Sequence, residues 1–136
     1  MLKTEKQTIM EFLGQKPEVK RGVINNLAED LKGKGYKVAI IRDCKKELPE
    51  ELKEDAKIEA ANLWIHFQIQ SEIIQALSMG VDYILIERGI RQTELTFEKL
   101  LKNGKISQEK QDNFKRLILR ELRPDKVIEV GRLEDV

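Results

Sequence analysis

The sequence predicts an α/β fold in three layers, a parallel sheet of about four strands with helices on both faces. Four short apolar segments, Thr8 to Leu13, Lys37 to Arg42, Asp82 to Glu87 and Lys126 to Val130, alternate with longer stretches of helical periodicity. That is the pattern of parallel strands joined by crossover helices. The length agrees, since a chain of 136 residues makes about one domain and buries roughly two thirds of its unfolded surface. No repeat, low-complexity tract or linker divides it, and Pro17, Pro49 and Pro124 each fall at an element boundary. A single domain over residues 1–136 is expected.

After the first strand, Val23, Ile24, Leu27, Ala28 and Leu31 recur at three-and-four spacing and form one apolar stripe, which Gly33 and Gly35 end. After the second strand, Pro49 with Glu50 and Glu51 suits a helix start, because proline fits the first helical position and acids the positive end of the helix dipole. An unbroken helix from there to Met79 would span about 45 Å, too long for this domain. A break near Lys53 to Lys57 is therefore expected, with a main helix running to Leu77 and the turn Met79-Gly80 feeding the third strand. A third helical stretch covers residues 94–122, interrupted at Asn103-Gly104 and restarted at Ser107, an N-cap residue with Glu109 in the first turn. Phe114, Leu117, Ile118 and Leu122 are expected to face inward, and Arg123-Pro124-Asp125 leads into the last strand.

Composition narrows the functional classes. Lys plus Arg number 25 against 24 Asp plus Glu, a net charge of +1, which gives no excess to collect a nucleic-acid backbone. Apolar runs such as Val38 to Ile41 and Tyr83 to Ile86 are four residues long, whereas a membrane helix needs about 20. Residues 1–14 hold Lys3, Glu5, Lys6 and Glu11 among their apolar positions, so no signal-peptide core is expected and the cytoplasm is the expected location. Cys44 is the only cysteine and His66 the only histidine, which removes an internal disulfide, cysteine-rich zinc clusters and most Ser-His-Asp arrangements.

The stretch Gly14-Gln15-Lys16-Pro17-Glu18-Val19-Lys20-Arg21 lies between the first strand and the first helix, where a phosphate-binding loop sits. The pattern GxxxxGK[ST] works because glycines let backbone N–H groups close round phosphates, lysine reaches the outer phosphates and a hydroxyl holds magnesium. Gly14 and Lys20 fit that pattern, while Val19 and Arg21 depart from it. Pro17 lacks a backbone donor and Glu18 adds a negative charge.

From Lys20 to Leu31 the chain resembles, without a gap, the first helix of P-loop nucleoside and nucleotide kinases, and Gly33-Lys34-Gly35-Tyr36-Lys37-Val38 resembles their turn into strand two. Ile41-Arg42-Asp43 looks like the Arg-Glu pair of thymidylate-kinase-type enzymes, and Glu87-Arg88-Gly89 like their Asp-Arg or Glu-Arg motif. Trp64 to Glu72 and Gly104-Lys105-Ile106-Ser107 also fit, so the resemblance covers about residues 8–130. It implies a P-loop NTPase-like fold with strand order 2-3-1-4. It also implies ATP and Mg²⁺ as weakly bound cofactors and a nucleoside or nucleotide as acceptor. Gly14, Lys20 and Arg21 would hold the donor phosphates, Asp43 would bind or deprotonate the acceptor, and Glu87 and Arg88 would handle magnesium and acceptor phosphate. Arg21 stands in place of the hydroxyl, Val19 in place of a glycine, and Gln92 where relatives often carry a second acid. Relatives also continue into a lid and a fifth strand, whereas six residues follow Val130.

Two functions follow. One is an ATP-dependent phosphotransferase; the other is a degenerate relative that serves as a binding or regulatory subunit, with a homodimer or partner at the edge of the fourth strand. The same residues also have plainer readings: Lys20 as a solvated lysine, Glu87-Arg88 as a surface ion pair, Asp43 as a turn residue. Cys44 reads as a space-filler and His66 as a helix-surface or packing residue. Leu63, Trp64 and Phe67 read as core or dimer contacts.

Overall fold

The computed structural model describes residues 2–131. Its elements run β1 (Thr8–Leu13), α1 (Pro17–Gly33), β2 (Val38–Ile41), α2 (Ile58–Ser78), β3 (Tyr83–Ile86), α3 (Ile90–Lys102), α4 (Gln108–Arg116) and β4 (Lys126–Glu129). The strands form one parallel sheet in the order β2-β3-β1-β4, as expected. Three of the strands are a residue or two shorter than their apolar segments.

Alternation along the strands divides the core. Ile9, Ile84 and Ile86 point to one face and pack with Ile65, Ile69 and Ile73 of α2, Phe97 of α3 and Phe114 of α4. Met10, Phe12 and Leu85 point to the other and pack with Ile24 and Ala28 of α1. One helix therefore covers one face and three cover the other. Right-handed crossovers require this, because β1→β2 runs across the sheet in one direction and β2→β3→β4 returns in the opposite one. Phe97 and Phe114 stack at 4.1 Å between centroids and tie α3 to α4.

The expected break near Lys53 to Lys57 is present, with α2 starting only at Ile58, but the helix expected to start at Pro49 is no more than the 3₁₀ turn Glu50–Leu52, flanked by the 3₁₀ turns Cys44–Glu47 and Asp55–Lys57. Gly80, at φ 73°, makes the turn into β3 in a conformation that side chains disfavour. The third helical stretch differs from expectation at both ends. It starts at Ile90 rather than residue 94, and α4 stops at Arg116. Leu117, expected to face inward, is 42% exposed. The cause lies 47 residues away in sequence: Gln70 of α2 donates to the Leu117 carbonyl (3.1 Å) and accepts from the Leu119 N–H (3.1 Å). A side-chain amide thus takes the backbone groups that would have continued the helix.

Candidate functional site

All strands being parallel, their carboxyl ends share one edge of the sheet. The chain leaves β1 toward the α1 face and leaves β3 toward the opposite face, so the two adjacent strands flank a crevice. Open α/β sheets bind ligands at such a reversal. Lys20 and Arg21 reach it from α1, Arg42 and Asp43 from the end of β2, Glu87 and Arg88 from the end of β3.

The loop before α1 is shorter than the sequence pattern suggests. Instead of a loop from Gly14 to Lys20, only Gly14–Lys16 intervene, and the helix starts at Pro17 with Glu18 in its first turn. The Lys20 N–H already donates to the Lys16 carbonyl at 3.1 Å, and Pro17 has no N–H to offer. Proline at the first helical position fixes φ for a helix and so extends α1 backwards through the would-be loop. Gly14 instead serves close packing, since a Cβ there would stand 3.1 Å from the Val130 carbonyl.

Lys20 is not the solvated lysine of the plainer reading, being only 7% exposed. Its ammonium makes no hydrogen bond or short ion pair with the described residues. Burial lowers its pKa, while the charges of Glu87 and Asp43 oppose that shift. Glu87 is 2% exposed and is no surface pair either. Its Oε1 accepts from Arg21 Nε at 2.9 Å, and its Oε2 lies 3.7 Å from Arg42 Nη1 without a hydrogen bond. That bond raises the Arg21 pKa. Arg42 in turn donates to the Asn25 side chain of α1 at 2.6 Å, so the arginines clamp α1 to the ends of β2 and β3. Asp43 caps the first 3₁₀ turn through the Lys45 N–H at 2.9 Å, the turn role, while its charge also acts on Lys20.

Two openings adjoin this cluster. A cavity of about 300 Å³ has apolar walls from Leu48, Leu52, Ile58 and Ile65, with Asn62 and Arg88 among its polar groups. The Arg88 Nε is buried with no hydrogen-bond partner among the described residues. A second, of about 320 Å³, is lined by Arg21, Asp43, Lys45 and Lys46. Lys45 borders both.

One residue of this region escaped the sequence reading. Glu11, in the middle of β1, is fully buried, and its carboxylate accepts from the Arg91 N–H (2.9 Å) and the Gln92 N–H (2.7 Å) at the start of α3. Burial raises its pKa, and the two N–H bonds act against that. Glu11 thereby caps the start of α3, just after Gly89. The available signal was an acid at an inward position of an otherwise apolar strand.

The remaining singled-out residues lie elsewhere or are inert. Cys44 is half-buried, and desolvation raises its pKa to about 11, the behaviour of a space-filler. His66 packs edge-on to Phe114 at 5.0 Å and is buried, a packing residue rather than a helix-surface one. Trp64 and Leu63 are partly buried against the core, and Phe67 is exposed.

No family model and no curated protein matches the chain. Among solved structures, a deoxyadenosine kinase from M. mycoides, described with the products dCMP and a flexible dCDP bound, superposes with a TM-score of 0.66 at 17% identity. The alignment covers 89% of this chain and 62% of that one, so the chain spans under two thirds of the kinase's length. The P-loop kinase-like fold is shared. The likeness is to a nucleoside kinase and does not single out the thymidylate-kinase type. Among the described residues no helix is long and apolar enough to cross a membrane.

Proposed function

We propose that the protein binds a nucleoside or nucleotide on a P-loop kinase-like scaffold without efficient phosphoryl transfer, as a binding or regulatory subunit. The observation that carries this reading is the start of α1. A donor phosphate needs several converging backbone N–H groups, and here Pro17 has none and the Lys20 N–H is bound to Lys16. The ligand side is better provided. The 300 Å³ cavity offers apolar walls to a flat ring and Asn62 to its polar edge, the mixture small-molecule sites use. An anionic end meets Arg88, Lys45 and, across the second opening, Arg21.

Calorimetric titration of the full chain with nucleosides, nucleoside monophosphates and ATP tests the reading. A nucleoside or monophosphate is expected to bind, and ATP to bind with a dissociation constant of about 0.1 mM or poorer, roughly −5.5 kcal/mol. Micromolar ATP affinity would overturn it.

A second reading, an active kinase, is favoured by the meeting of Lys20, Asp43, Glu87 and Arg88 at one sheet edge, because phosphoryl transfer is mostly positioning and charge neutralisation. In it Lys20 and Arg21 bind the donor phosphates of ATP, Glu87 magnesium, Asp43 the acceptor and Arg88 its phosphate. Chromatographic detection of a nucleoside phosphate formed from ATP, lost in Lys20→Ala, would establish it.

A further inference from the structure

We propose that Arg21 takes the place of a divalent metal at Glu87, so that this cleft takes a phosphate-bearing ligand without Mg²⁺. The proposal rests on the ligand reading above for its phosphate half and stands independently for its metal half.

A magnesium ion at a phosphate site demands near-octahedral oxygen ligands, supplied by one or two carboxylates together with phosphates and waters. Glu87 presents at most one free oxygen, the buried Oε2, which has no hydrogen bond among the described residues. Its Oε1 already holds the Arg21 guanidinium at 2.9 Å, and Arg42 stands 3.7 Å from its Oε2. A metal entering there would displace a part-buried charge-assisted bond or meet the charges of two arginines. No cluster of three His, Cys, Asp or Glu side chains among the described residues offers another seat. The Arg21 site in the sequence is where a P-loop would place its metal-binding hydroxyl. The residue that removes that ligand thus also supplies the positive charge the metal would have brought.

The guanidinium does not end at Glu87. Arg21 is bonded through Nε, and a guanidinium has further N–H donors in a planar fork that matches phosphate. Arg21 also lines the 320 Å³ opening with Lys45 and Lys46. One residue therefore links the buried acid to the mouth where an anion would enter, which is the bridging position of a metal between carboxylate and phosphate.

The test uses the full chain with pyrophosphate and ADP as probes, followed by calorimetry and thermal shift, and with Mn²⁺ followed by electron paramagnetic resonance. For the native chain the dissociation constants in EDTA and in excess Mg²⁺ should agree within about twofold. Arg21→Ser should weaken binding in EDTA by about tenfold or more, the loss of a charge-assisted contact, and recover it when Mg²⁺ is added. Probe binding to the native chain only when Mg²⁺ is present would overturn the proposal and leave the ligand reading intact. Failure of both probes to bind under either condition would overturn the ligand reading, and the Mn²⁺ arm then decides alone. A Mn²⁺ site in the native chain that Glu87→Gln abolishes refutes the proposal; a Glu87-dependent site only in Arg21→Ser upholds it. Arg21 is exposed at the surface of α1, so the variant should fold, and circular dichroism checks that it does.

Discussion

Replacing Gly89 by alanine tests whether the Glu11 carboxylate holds the start of α3. The Gly89 backbone is extended, at φ −120° and ψ −159°, so alanine brings no backbone strain. Its Cβ, however, would fall inside contact distance of Glu11 Oε1 and Cδ and 3.0 Å from Cγ. Glu11 sits in the central strand β1, fully buried, and cannot retreat with its backbone. The carboxylate must leave the Arg91 and Gln92 N–H groups. Each hydrogen bond to a charged group contributes about 1.5–3 kcal/mol, and the helix dipole adds up to about 2 kcal/mol in partly buried geometry. These overlap, and protonation of the displaced acid limits the loss, so we expect destabilisation of about 3 kcal/mol. For a chain of this size that lowers Tm by about 10 °C. Urea unfolding followed by circular dichroism measures it. Gly22→Ala, on exposed α1 where an added Cβ meets nothing within 4 Å, should instead stabilise by about 0.5–1 kcal/mol. In a double-mutant cycle, Glu11→Ala should absorb most of the Gly89→Ala penalty, because the colliding carboxylate is gone. A Gly89→Ala variant within about 0.5 kcal/mol of the native chain, or strict additivity with Glu11→Ala, would refute the account.

Three further outcomes follow from the same geometry. His66 accepts from Gln70 through Nε2 at 2.7 Å, and burial lowers its pKa from 6.5 to about 4. Between those values the unfolded chain holds the extra proton, so stability is fully present above pH 6.5 and declines toward pH 4, by at most about 3 kcal/mol. Glu11 and Glu72, whose pKa values are raised by burial, act with the opposite sign. The check is therefore the difference between native and His66→Leu unfolding curves, and a difference independent of pH from 4 to 6.5 sinks the assignment. Lys20→Met removes a buried ammonium without a short partner and should leave stability unchanged or raise it by about 1 kcal/mol, while weakening pyrophosphate binding. A loss of both stability and affinity would mean that Lys20 is structural. At the sheet edge, β4 pairs among the described residues with β1 alone and exposes Val127 at 44%, which invites strand pairing or a partner. Sedimentation should show association that Val127→Lys abolishes, and a monomer at about 0.1 mM would contradict this.

The layers of the fold were legible because they rest on local repetition. The stripe Ile24, Ala28 and Leu31 and the two-residue alternation Ile9, Met10 and Phe12 are visible without any distant partner. The break before α2 was legible from helix length alone. Departures arose where a side chain from far along the chain completes a backbone. Gln70 ends α4 across 47 residues, and Glu11 starts α3 across 80. Neither Gln70 nor Glu11 has a local cap signature, so periodicity could not place those ends. The site was half legible in the same sense. The convergence of Lys20, Asp43 and Glu87 followed from the topology of parallel strands, whereas the Arg21 bond to Glu87 spans 66 residues. In sequence, Arg21 was only a departure from a pattern.

That bond changes what the cluster attracts. Lys20, Arg21, Arg42 and Arg88 stand against Glu11, Asp43 and Glu87, and 4 − 3 leaves one positive charge. At a magnesium-dependent phosphate site one or two carboxylates share the ion with the phosphates, whereas here the nearest such carboxylate, Glu87, is bonded to Arg21. Glu11 tilts the balance further, since its charge is directed onto the α3 N–H groups rather than into the crevice. Among the described residues Lys20 then has no short-range counter-ion, and a buried ammonium in that state lowers its energy most by meeting an anion. The bond that ties Arg21 to Glu87 and the lack of a short ion pair at Lys20 among the described residues are thus one arrangement: the nearest acid is hydrogen-bonded to the arginine and acts on the lysine only through its charge.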